Sequence, residues 1–364
     1  MVRASSFCPK SGNASMSNAF RTTVVGSMPK RPWLYEKTFA LDGKQDHFGS
    51  GGNWTVAGPV LKAAHDDATR AVIQQQEHAG VDIISDGEQR RKNYVTAVTA
   101  GMKGFDYETL GEKVMRGGRR HAMTGRCVGP IEHQRPIIAD DLKFLLAHTN
   151  HRVKVTLPGA MTVVDSSFDA YYDDEEAFGL AWADAVNKEA KLLEALGADI
   201  IQFDEPAFSR YPDRCEKWGI EALNRSVAGL KTKTALHICY GYPQPGLDRP
   251  ILDSYSRVIA ALETSNIDIL ALEFEGSKLS VDELKACKSK TVMFGSVFNS
   301  DDVPMETPEH VANRLCAAAE ILSPDRVMAA PDCGLVMCSP DVAVQKLQVM
   351  CAGAQLARVR AGAA

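Results

Sequence analysis

Residues 175–205 read EEAFGLAWADAVNKEAKLLEALGADIIQFDE, and this run decides the fold. Its first part sets apolar residues at helical spacing behind an acidic start and stops at Gly197, a helix-ending residue. The remainder, DIIQFDE (199–205), is a short β-branched run closed by two acids. A helix feeding a strand that is apolar along most of its length is the unit of a parallel sheet covered on both faces. The same unit recurs along the chain. Strand candidates are TTVVGS (22–27), VDIISDGE (81–88), VKVTLPG (153–159), DIIQFDE (199–205), TALHICY (234–240), IDILALE (267–273), TVMFGSVF (291–298) and RVMAAPD (326–332). Eight strands with helical crossovers predict a (β/α)8 barrel rather than a doubly wound sheet.

The expected organisation is one barrel over residues 21–360 behind a disordered, Ser/Asn-rich leader at 1–20, in which Met16 offers a second start. Two segments break the alternation. DGKQDHFGSGGNW (42–54) reads as a loop, because its glycines Gly49, Gly51 and Gly52 lack the Lys-Ser/Thr and the strand–helix context of a phosphate loop. The stretch 90–140, with KVMRGGRRH (113–121) and RCVGPIEHQRP (126–136), reads as a hairpin or subdomain over the barrel mouth.

Of the 364 residues, 45% are hydrophobic and 24% charged, which excludes a disordered or fibrous chain. A net charge of −5 with no basic stripe argues against nucleic acid as partner. No eighteen-residue apolar run and no apolar signal region are present, so no membrane association is expected and the cytoplasm is the expected location. The nine scattered cysteines then read as core fillers or metal ligands rather than disulfides.

Barrel strands aim their C-terminal ends at one mouth, and here those ends are loaded with polar residues: Gly26-Ser27, Asp86-Gly87-Glu88, Asp204-Glu205, His237 and Cys239, Glu273 and Glu275, Asp332-Cys333. Singly, each reads equally as a helix cap or a loop salt bridge. His237 and Cys239 are two apart on one strand and share a face, so an imidazole and a thiol project together. Glu273 and Cys333 from two further strand ends complete an N, O, S, S set suited to tetrahedral zinc. Glu275 is the alternative oxygen and Cys338 a weaker alternative sulfur. Ligands spread over almost a hundred residues favour a catalytic over a structural site, and zinc that ionises a bound thiol points to alkyl transfer to sulfur.

The strand ends VVGSMP, QEHAGVDIISDGE, IIQFDEPAF, HICY, ALE and PDCGL resemble the C-terminal catalytic barrel of cobalamin-independent methionine synthase, from about Thr22 to Ala354 and closest to the short single-barrel members. The resemblance implies zinc on His237, Cys239, Glu273 and Cys333, with YPQPGLDRP (242–250) as a loop insertion between Cys239 and Glu273. It implies that Gly26, Ser27, Glu88 and Asp204 bind the amino-acid end of homocysteine, Glu88 and Asp204 forming the catalytic acid pair. It also matches Arg126-Cys127 to a pair on the donor side.

Two departures concern the methyl donor. Where full-length members place a Trp that stacks on folate, this chain has Ser166, and GSVFNSDD (295–302) lacks the His assigned to protonate the departing folate. The expected activity is a zinc-dependent methyl transfer to homocysteine, giving methionine, from a donor other than the folate polyglutamate. That donor is methylcobalamin on a partner protein, or a methyl supplied by a companion enzyme. The alternative is a zinc alkyltransferase that opens an epoxide or other electrophile with a thiol such as coenzyme M, whose sulfonate Glu88 and Asp204 would repel. A barrel with structural zinc, or a metal-free decarboxylase-type barrel, is the third reading. Oligomeric state is left open.

Overall fold

The computed structural model describes residues 18–37, 52–118, 120–242 and 249–363. Seven parallel strands stand side by side in chain order: Ile83–Ile84, Arg152–Pro158, Ile200–Asp204, Lys233–Ile238, Ile269–Leu272, Thr291–Val297 and Val327–Pro331. The eighth stave is Thr22 and Thr23, which bridge Ala329 on one side and Ile83 on the other. Thr23 N donates to Ala329 O at 3.0 Å and Ile83 N to Thr22 O at 3.0 Å, so the sheet closes on itself. The expected (β/α)8 barrel is therefore present, and each strand candidate contains or overlaps its stave.

Period-two alternation divides the strand residues between two cores. Val25, Ile83, Ile200, Ala235, Ile269, Ala271, Met293, Met328 and Ala330 pack together as the apolar filling inside the barrel. The alternate residues, among them Val155, Leu157, Ile201, Phe203, Leu236 and Leu270, join a larger core with the helices. Ile200, Gln202 and Asp204 thus share the inner face, which carries a polar ladder upward from apolar filling to mouth. The helix Glu175–Leu196 shows why the opening sequence folds as read. The Asp174 carboxylate accepts from Glu176 N and Ala177 N at its start, and Gly197 ends it at φ 105, a left-handed conformation that suits glycine. Trp182 on its inner face is fully buried and donates Nε1–H to Pro158 O at 3.1 Å.

The stretch expected over the mouth is an antiparallel hairpin, Lys103–Met115 with Arg120–Glu132, flanked by Phe168–Asp169. Of the glycine cluster, only Gly52 is described; it opens Gly52–Trp54, which pairs with Tyr35–Lys37. Of the leader, residues 18–20 are described, and its end is not disordered as expected: Ala19 and Phe20 are buried, and Phe20 N donates to Val327 O at 3.0 Å, so the barrel begins before residue 21. Most of the insertion at 242–250 lies outside the described residues. No helix among the described residues is long and apolar enough to cross a membrane.

Candidate active site

Three of the four expected zinc ligands meet at the barrel mouth. His237 lies on the inner face of its strand, Cys239 follows one residue past the strand end, and Cys333 sits in the turn after Val327–Pro331. Their ligand atoms lie within 4.8 Å of one another, all buried, and the two sulfurs are 3.7 Å apart. His237 Nδ1 is 3.2 Å from Ala271 O, which fixes the ring and the tautomer, while the buried Nε2 has no hydrogen-bond partner. Gly241 N donates to Cys239 Sγ at 3.3 Å. The Cys333 thiol, with His237 beside it, holds Cys239 well below the usual thiol range, and the anionic neighbour pushes Cys333 well above it. A buried imidazole nitrogen with a free lone pair beside two adjacent sulfurs is a donor set that fits a thiophilic divalent metal such as zinc.

Glu273 stands beside this trio but outside it. Its fully buried carboxylate accepts from Tyr240 N at 3.0 Å and from Arg249 Nη2, 2.5 Å from each oxygen. Arg249 lies near the end of the insertion (242–250) that sequence reading treated only as spacing. Glu275 does not share the inward face. The strand ends at Leu272 and a turn begins, so the alternation stops, and Glu275 turns outward to Arg314 at 2.6 Å and His310 at 2.8 Å on the helix Pro308–Leu322. Cys338 lies apart from the two sulfurs, its thiol pushed up to about 12 by burial and by Asp301.

The residues expected to hold the amino-acid end are also brought together. A Cβ on Gly26 would fall 2.9 Å from Glu88 Oε1, so Gly26 is what lets the chain pass the carboxylate. Glu88 has a left-handed backbone at φ 55, rare outside glycine, and accepts from Thr156 Oγ1 at 2.7 Å. Asp204 accepts from Gln202 Nε2 at 2.7 Å, and burial raises its carboxyl to about 6, with His237 opposing and Glu88 adding to the rise. Ser27 Oγ lies 3.0 Å from Tyr242 Oη and so close to Gly334 that a side chain there would collide with it. The Gly26-Ser27 turn is thus packed against the Cys333-Gly334 turn. Arg126 is not drawn in: it stays on the hairpin, 4.0 Å from Asp106.

Sequence reading missed several residues at this mouth. Lys154, fully buried, donates to Val25 O and to Gln202 Oε1, both at 2.5 Å, so Lys154, Gln202 and Asp204 form a chain of hydrogen bonds up the inner face. The signal was available, since Lys154 and Gln202 are polar residues at inward positions of apolar strands. Arg91 donates to Thr156 O at 3.0 Å and lies 3.9 Å from both Asp86 and Glu88. The Tyr94 phenol is pushed far up by burial and by the charges of Asp204, Cys239 and Cys333, with Arg116 opposing.

Comparison with known proteins agrees with this geometry. A family model described as the catalytic domain of cobalamin-independent synthase matches residues 20–356, and the chain belongs to this cobalamin-independent methionine synthase family. Methionine synthases of Sulfurisphaera tokodaii and Pyrococcus abyssi are 30% and 31% identical to it, each alignment covering 93% of this chain and 92% of the relative. A solved B12-independent methionine synthase from Shewanella sp. W3-18-1, in complex with selenomethionine, is 36% identical with a TM-score of 0.85, covering 94% of this chain and 98% of that one. The putative B12-independent methionine synthase of Listeria monocytogenes, at 19% identity and a TM-score of 0.69, shares the fold.

Proposed function

We propose that this barrel makes methionine by passing a methyl group to the thiol of homocysteine, with zinc held by His237, Cys239 and Cys333 and by Glu273 as an exchangeable fourth ligand. The carrying observation is the buried trio with its unpartnered His237 Nε2. Zinc bound there would lower the pKa of a substrate thiol so that it is a thiolate at neutral pH. The chain's own groups do the placing. Glu88 and Asp204, buried side by side, take the substrate ammonium; the Gly26-Ser27 turn receives its carboxylate through backbone N–H and hydroxyl donors. The sulfur is thereby aimed at the Cys239–Cys333 end of the mouth for in-line attack on the methyl carbon. The selenomethionine bound to the Shewanella relative supports a site shaped for this amino acid. The two carboxylates disfavour a sulfonate thiol such as coenzyme M.

The donor we assign is not the folate polyglutamate. Ser166, where full-length members would stack a Trp, is buried with its hydroxyl donating to Thr162 O at 2.5 Å, and offers no aromatic platform. A methyl-carrying partner protein or companion enzyme remains the proposed source.

Zinc-edge X-ray absorption on the protein, alone and with homocysteine, tests the reading. The sulfur count at zinc is expected to rise from about two to about three. Zinc that ignores added homocysteine, or no zinc at all, would overturn it.

A further inference from the structure

Two arginines converge on one glycine beside the sulfur site. Arg116 sits at the tip of the hairpin in a left-handed backbone conformation at φ 54, next to Gly117 at φ 65 and Gly118 at φ 87. Arg210 ends the helix Pro206–Arg210 that follows the Asp204 strand. A Cβ built on Gly241 would lie 3.6 Å from Arg116 Nη2 and 3.7 Å from Arg210 Nη2, so both guanidinium tips approach the same point. That point borders Cys239, because Gly241 N donates to Cys239 Sγ. Gly241, at φ 86, supplies both the turn and the clearance.

The arrangement is held in place from below. Gly117 N donates to Tyr211 Oη at 2.7 Å, and Tyr211 Oη donates to Asp165 at 2.8 Å. Asp165 also pairs with Arg210 at 3.2 Å. The hairpin tip is thus latched to the platform that carries the second arginine. Asp165 serves Arg210, whereas no ion pair or hydrogen bond ties the Arg116 guanidinium to another described residue. The two cations share one carboxylate, and their other anionic neighbour, Cys239, is a proposed zinc ligand, so positive charge is left over where water is partly excluded. An oxyanion at Gly241 would relieve it, and the planar guanidinium fork suits a carboxylate or a phosphate.

We propose that Arg116 and Arg210 bind an anionic group of the methyl donor, so the second substrate carries a carboxylate or a phosphate that seats over Gly241 beside the reacting sulfur. The inference rests on the homocysteine reading, which gives the substrate's own carboxylate to the Gly26-Ser27 turn and leaves this arginine pair for the second substrate.

The test is isothermal titration of the zinc-loaded full chain with inorganic phosphate and, separately, with glutarate, at constant ionic strength. The wild type is compared with Arg116→Gly, which suits the left-handed backbone, and with Arg116→Lys. Wild-type binding of one anion, weakened at least about tenfold in Arg116→Gly and less in Arg116→Lys, is the expected result. Preference for glutarate indicates a carboxylate-bearing donor; preference for phosphate, a phosphate-bearing one. No binding by the wild type, or equal binding by Arg116→Gly, overturns the proposal. Homocysteine addition at the zinc edge is read in the same samples. If homocysteine fails to reach zinc while anion binding still depends on Arg116, the methionine reading falls and the arginine site stands as an anion site.

Discussion

Arg249 closes on both oxygens of Glu273, its Nη2 lying 2.5 Å from each. The carboxylate is fully buried, so it needs a cation at all times, and two are within its reach in principle: the guanidinium and a metal at the neighbouring trio. On the proposed zinc reading, Arg249 would be the resting partner of a ligand that comes and goes. Replacing it by Met strands the Glu273 charge unless a metal accepts it. Arg249→Met is expected to bind zinc about tenfold more tightly than wild type in chelator competition, as an otherwise uncompensated buried carboxylate gains a partner. Unchanged or weaker zinc affinity would show that Glu273 is no metal ligand.

Cysteine replacements separate ligands from core fillers. Cys239→Ser and Cys333→Ser should each bring zinc, measured by elemental analysis, from about one per chain to a small fraction of that, because a hydroxyl is a poor substitute for thiolate. Cys316→Ser and Cys351→Ser, which lie outside the trio, should keep it. Equal loss in all four sinks the assignment.

Asp204 is expected to act on substrate rather than on metal. Asp204→Asn removes one charge-assisted contact to the ammonium, worth about 1.5–3 kcal/mol, and should raise the KM for homocysteine by roughly 10–100-fold. Zinc content should stay as in wild type. A lost metal with an unaltered KM would reverse the two roles.

Lys154 makes a prediction in pH. Burial pulls its ammonium down from 10.5 to about 8, against the pull of Asp204, Glu88 and Asp86. Between those values the unfolded chain holds a proton that the folded chain does not, so this residue makes stability rise with pH across that window. The full span amounts to about 3 kcal/mol at 1.36 kcal/mol per pH unit. In urea unfolding, wild type should therefore gain on Lys154→Met as pH rises from about 8 towards 10. A constant difference between the two would show that Lys154 keeps its proton throughout.

What the sequence determined by itself was local. Helix stops such as Gly197 and the apolar run before Asp204 carry the βα alternation, since helical spacing and strand alternation are properties of a few adjacent residues. The same alternation put His237 and Cys239 on one face, and the barrel rule put Glu88, Asp204 and Cys333 at the same mouth. The tertiary structure decided what depends on where a strand stops and which distant segment folds over it. Glu275 turned outward because the strand ends at Leu272, three residues before alternation would have placed it inward. Arg249 reached Glu273 from the end of a loop insertion, and Arg116 came from a hairpin tip more than a hundred residues before Cys239, locked by Tyr211. Contacts of that kind are set by packing between elements far apart in the chain, and no periodicity within either segment encodes them.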